Sequence, residues 1–82
     1  MITITLRLFA SARDMAGCGS LPCTLPDAAP AGEVIAVLSS RNPEFERWSH
    51  VLRLAVNGEY VQTDHPLRDK DEVAVIPPVS GG

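Results

Sequence analysis

The chain has 82 residues, a hydrophobic fraction of 45% and a formal net charge of −3. That length suits one domain near the lower limit for a self-sufficient core, and the apolar fraction argues against wholesale disorder. An acidic balance with no basic cluster disfavours nucleic acid as a partner, because phosphate contacts need a basic surface.

The opening residues, Ile2, Ile4, Leu6 and Leu8, alternate with Thr3, Thr5 and Arg7. This two-residue period predicts a half-buried strand. It is neither a signal peptide nor a membrane span, and no membrane partner is expected. A short helical turn is predicted over Phe9 to Gly17, closed by the glycine. Leu21, Cys23 and Leu25 give a second alternation, which Pro22 and Pro26 mark as an edge strand. Helix is predicted from about Pro30 to Arg41, with Val34, Val37 and Leu38 on one stripe and Asn42-Pro43 as its end. Pro43 to Trp48 forms one more turn, with Phe45 or Trp48 closing the core.

Leu52, Leu54 and Val56 alternate with Arg53 and Ala55 before Asn57-Gly58, a strong hairpin signal. Tyr60-Val61-Gln62 is the expected return strand, Asp69-Lys70-Asp71 a turn, and Glu72 to Ile76 the final strand. The order predicts an α+β fold: a mixed sheet with one main helix on one face, in a β-grasp arrangement. A ferredoxin-like topology would need a second long helix, and the sequence has none. Residues 1–77 are read as the β-grasp domain and residues 78–82 as an extended tail.

That tail, Pro78-Val79-Ser80-Gly81-Gly82, follows Pro77. Two prolines remove ladder donors and fix φ, so the strand must stop and the backbone leaves extended. Glycines without Cβ let a partner close on both sides of the chain. A free carboxylate is a poor electrophile. Converting it to an acyl-adenylate supplies a leaving group that sulfur can displace.

Several blocks carry a family resemblance. Leu8-Phe9-Ala10 with Arg13 and Gly17, Val56-Asn57, Asp64-His65-Pro66-Leu67, Asp69, Asp71-Glu72-Val73-Ala74 and the Pro77-to-Gly82 ending occur in family order. Together they resemble the small, sulfur-carrier subunits of molybdopterin synthases, of the ubiquitin-like β-grasp family. The resemblance implies that an ATP-dependent enzyme of the ubiquitin-activating type adenylates Gly82, and that a thiocarboxylate then forms there. It implies donation of that sulfur to cyclic pyranopterin monophosphate in molybdenum cofactor biosynthesis. The donor complex would be a heterotetramer with a large catalytic subunit, in which this chain is a non-catalytic, sulfur-donating subunit with no cofactor of its own. Lys70 stands where the family often has glycine, at a cost of about 1 kcal/mol if φ there is positive. Ile76 stands where an aromatic is common.

The pleat adds a docking surface. If even positions of the first strand face the helix, Phe9 points away with Arg7, while Ile76 and Tyr60 fall outward on their own strands. Phe9, Tyr60 and Ile76 are therefore expected on one open face near the tail, a patch suited to a partner. The resemblance adds Arg13 beside them, with Pro77, Pro78, Val79, Ser80 and Gly81 leading to Gly82.

Cys18 and Cys23 are too widely spaced for a Cys-x-x-Cys redox or zinc element, and too few for a disulfide scaffold. Their use points to a reducing, cytoplasmic setting. His50 and His65 have no partners at ligand spacing, so no metal site is expected. Three other roles stay open: a ubiquitin-like modifier joined to lysines through Gly82, a sulfur carrier for another pathway such as thiazole formation, and a pure interaction module with an inert tail.

Overall fold

The structure, a computed structural model, describes residues 1–78. Eight elements follow one another: β1 (Ile2–Leu8), α1 (Ala10–Ala16), β2 (Ser20–Leu25), α2 (Glu33–Arg41), α3 (Glu44–Trp48), β3 (Arg53–Val56), β4 (Glu59–Val61) and β5 (Glu72–Ile76). The strands form one sheet in the order β2-β1-β5-β3-β4. Its central pair, β1 and β5, is parallel, and the other neighbours are antiparallel. This is the mixed sheet of a ubiquitin-like β-grasp fold.

Alternation in β1 becomes strict alternation of burial, with Ile2, Ile4, Leu6 and Leu8 inside. From β5, Val73 and Val75 meet them without exposed surface, and α2 covers this face with Val34, Ile35 and Leu38. Each such side chain contributes roughly 1.5–3 kcal/mol by leaving water. β2 lies at the sheet edge, where its prolines remove no ladder bond that a central strand would need. Asn57 and Gly58 have φ of 50° and 88°, the pair of positive values a two-residue hairpin of right-handed twist requires.

Two boundaries differ from the sequence expectation, and one open choice is decided. The main helix starts at Glu33 rather than Pro30. Pro30 instead bridges Pro66, and the amides of Ala31 and Gly32 donate to the carbonyls of His65 and Thr63 at 2.7 and 2.8 Å. The segment after β4 thus takes donors that would otherwise begin the helix, and inserts Leu67, 1% exposed, into the core. A Cβ at Gly32 would lie 3.1 Å from the Thr63 Cβ, so a larger residue there would require the strap to shift by a few tenths of an ångström. The return strand runs from Glu59 to Val61, one residue earlier than expected. In α3, Phe45 is fully buried while Trp48 remains 45% exposed, so Phe45 alone closes the core.

Before β5, a set of hydrogen bonds ties the turn to its neighbours. The Asp71 carboxylate accepts from Asn57 Nδ2 at 2.9 Å and from the Arg68 amide at 2.8 Å. Asn57 Oδ1 accepts from the Glu72 amide, Asp69 Oδ1 from the Thr3 amide, and the Thr3 carbonyl from the Lys70 amide. Asn57, Asp69 and Asp71 are thereby accounted for as scaffold. Lys70 takes φ of +72° in this turn.

Candidate functional site

β5 carries the chain across the sheet centre, and Pro77 follows it still buried, whereas Pro78 is exposed. Neither proline has an amide to donate, so pairing ends here while the chain keeps its direction. The parallel register sets Leu8 beside Val75, which brings the end of β1 to the same rim. There the backbone turns from β1 into α1 through Phe9, extended at φ −123°, and Ala10 at φ +49°. Phe9 occupies the N-cap position of α1 without a side-chain cap and is 45% exposed.

The last residue of α3 completes this rim. Phe9, Trp48, Ile76, Pro77 and Pro78 line a groove of about 700 Å³, floored by Ala10 and Ser11. The lining is mostly apolar, so an apolar side chain from another molecule would release water from both partners. Polar functional groups are scarce. Among the described residues no group of three His, Cys, Asp or Glu side chains is placed to hold a metal, and the core contains no buried polar or charged residue. Cys23 is buried, and burial pushes its thiol pKa up, away from the reactive thiolate; Cys18 is half-buried. The rim can hold a partner and aim a chain; it carries no catalytic constellation.

The structure brings together Phe9, Ile76, Pro77 and Pro78 of the residues singled out from the sequence. Phe9 follows the end of β1 and shares the groove with Ile76. Tyr60, 69% exposed, shares the open face but not the groove. It pairs with Ala55, whose other neighbour is Ala74, and it lines a separate shallow depression with Arg53 and Gln62. Arg13 is exposed and lies against Gly19, whose added Cβ would be 3.4 Å from Arg13 Nε, so its side chain turns away from the groove. Val79, Ser80, Gly81 and Gly82 lie outside the described residues.

Trp48 is the groove residue that sequence reasoning did not assign. Phe45 and Trp48 are three apart on one short helix, and either could have filled the core. The signal for separating them was position: Trp48 ends the helix, where a large ring has less of the sheet beneath it.

Comparisons with known proteins bear on the family and the fold. The model of the ThiS family matches residues 6–82. The molybdopterin synthase sulfur carrier subunit of Chlamydomonas reinhardtii is 36% identical over 81 residues, covering 96% of this chain and 98% of that protein. A Pyrococcus furiosus structure described as a molybdopterin converting factor subunit 1 superposes with a TM-score of 0.85 at 30% identity, covering 96% of this chain and all of that one. SAMP1 from Haloferax volcanii superposes at 0.81 with 26% identity, covering 98% and 99% of the two chains.

Proposed function

This chain belongs to the ThiS family, and on that premise we propose that it is the sulfur carrier subunit of a molybdopterin synthase, working through the carboxylate of Gly82. The observation that carries the reading is the rim itself: β5 delivers Pro77 and Pro78 beside an open groove of Phe9, Trp48 and Ile76, four residues before the chain's final carboxylate. A partner that seats on the groove receives the glycines in its own pocket.

In this reading an ATP-dependent adenylating enzyme of the ubiquitin-activating type uses the groove first. The Gly82 carboxylate displaces pyrophosphate from ATP and becomes an acyl-adenylate. A sulfide-level nucleophile, HS−, then displaces AMP: its sulfur bonds to the carbonyl carbon as the bond to AMP breaks, and loss of the S–H proton to solvent leaves a thiocarboxylate. The large synthase subunit uses the groove next, in a heterotetramer, and cyclic pyranopterin monophosphate takes the sulfur while an oxygen returns to Gly82. The chain contributes its end and its seat; nucleotide and pterin are held by the partners. A cytoplasmic location belongs to the same proposal.

The intact mass of the protein from cells tests it. A form in which one oxygen is replaced by sulfur is expected. A variant lacking Gly82 should lose pterin sulfuration completely and keep its melting temperature. Lysine adducts on many cellular proteins, without the sulfur form, would instead identify a modifier, the role that the name of the Haloferax relative describes for that protein.

A further inference from the structure

Asn57 precedes Gly58, and no other asparagine or aspartate in the sequence precedes a glycine. Asparagine is a labile side chain, and a following glycine has no Cβ to keep its backbone nitrogen from the asparagine Cγ. The second asparagine, Asn42, is followed by Pro43, whose nitrogen carries no proton to give up. At the hairpin both residues are exposed, and the space where a Cβ on Gly58 would stand is open to 4 Å. Sequence and exposure thus favour reaction at Asn57. The hydrogen bonds oppose it. Both ends of its carboxamide are taken: Nδ2 donates to Asp71 Oδ1 at 2.9 Å, and Oδ1 accepts from the Glu72 amide at 3.0 Å. The Asn57 amide donates to the Glu72 carbonyl at 2.8 Å, so side chain and backbone are tied to one residue of β5.

We propose that Asn57 is a guarded deamidation site: Asp71 and the Glu72 amide hold its carboxamide away from the Gly58 nitrogen, and conversion, once it occurs, unfastens β5 for good. The step is intramolecular and needs no oxidant or cofactor. With the carboxamide released, the Gly58 nitrogen attacks Asn57 Cγ, an N–C bond forms and the Cγ–Nδ2 bond breaks. Nδ2 leaves as ammonia, the Gly58 amide proton reaching it by way of solvent. Water then opens the five-membered imide at either carbonyl, giving aspartate or isoaspartate.

Neither product restores the fastening. Aspartate places a carboxylate oxygen, which has no proton to donate, where Nδ2 met the Asp71 carboxylate. Like charges so close repel, and the bond becomes a repulsion. Isoaspartate routes the main chain through the side-chain carbon. That adds a methylene to a two-residue hairpin whose register sets Val56 opposite Glu59. Local opening of the pin is reversible until the imide closes; afterwards it is not.

Incubation of the full chain in mildly alkaline buffer, followed by tandem mass spectrometry, tests the proposal. Folded wild-type protein should convert at Asn57 at least about 10-fold more slowly than the same chain in denaturant, because a bond to a charged group must open first. Asp71→Ala should raise the folded rate towards the denatured one. Asp69→Ala loosens the same turn by removing the bond to the Thr3 amide but leaves Asn57 bonded, and should not. Asn57→Asp, which imitates one product, should lower the denaturant midpoint. Equal conversion in folded and denatured wild type would overturn the proposal. So would equal acceleration by the two aspartate variants, or an Asn57→Asp chain as stable as the parent. If Asp71→Ala does not fold, the wild-type comparison and the Asn57→Asp midpoint decide it.

Discussion

At its first residues β5 is fastened by side chains: Asp71 holds Asn57 and the Arg68 amide, Asn57 holds Glu72, and Asp69 holds Thr3. At its last residues the same strand meets Phe9, Trp48 and two prolines, and the groove there is left open. One end therefore fixes the strand's register and keeps the sheet together. The other leaves its apolar surface available, so that a second molecule can complete it. If the proposed docking holds, separating the two along one strand lets the exit end be gripped and released without loosening the fold. Substitutions at the two ends should accordingly produce opposite patterns of damage.

The largest effect on folding is expected at the fastened end. Asp71→Ala removes an acceptor from the Asn57 side chain and from the Arg68 amide at once, and hydrogen bonds to charged groups contribute about 1.5–3 kcal/mol each when well formed. Both groups are partly solvated, so a loss of about 2 kcal/mol in denaturant unfolding is the expected outcome. Affinity for the proposed activating enzyme, measured on the residual folded protein, should be unchanged. A drop in affinity as large as the drop in stability would merge the two ends into one unit.

At the open end the pattern reverses. Trp48→Ala should cost less than about 0.5 kcal/mol of stability, the range of surface substitutions, because nearly half of the ring is already in water. It should weaken partner binding about 10-fold or more, as large aromatics at interface centres do. Trp48 is the only tryptophan, so its emission in the wild-type chain reports directly on whether a partner covers the groove. No change in emission on complex formation would remove the groove from the docking surface.

The strands and turns of the fastened end were legible in the sequence, its side-chain hydrogen bonds were not, and the open end was legible only in part. Alternation in Ile2 to Leu8, the Asn57-Gly58 pair and the Val73–Val75 spacing depend on local periods and turn chemistry, which each residue carries with it. The start of α2 and the burial of Leu67 depend on a backbone strap from 30 residues downstream, and no local pattern encodes that contact. The groove lay between these cases. Proline and glycine announced the exit of the chain, and the pleat brought Phe9 and Ile76 to notice. The neighbourhood of Trp48 required the packing of α3 against α1, and the separation of Tyr60 and Arg13 from the groove required the sheet's full width.

The smallest effect sharpens the comparison most. Lys70 holds φ of +72° in the turn at the fastened end, where an L residue other than glycine is strained by roughly 1–2 kcal/mol. Glycine relieves that strain but widens the unfolded ensemble, an opposing effect of about 0.4–1 kcal/mol. Lys70→Gly should therefore raise stability by up to about 1 kcal/mol, read as a shift in denaturant midpoint at constant slope. Lys70→Ala keeps the Cβ and the positive φ, so it should leave stability within about 0.5 kcal/mol of the parent. If alanine stabilised as much as glycine, the cause would be loss of the lysine side chain and not relief of the backbone. Neither variant should alter the emission change of Trp48 on partner binding, because the strain sits at the end of β5 opposite the groove.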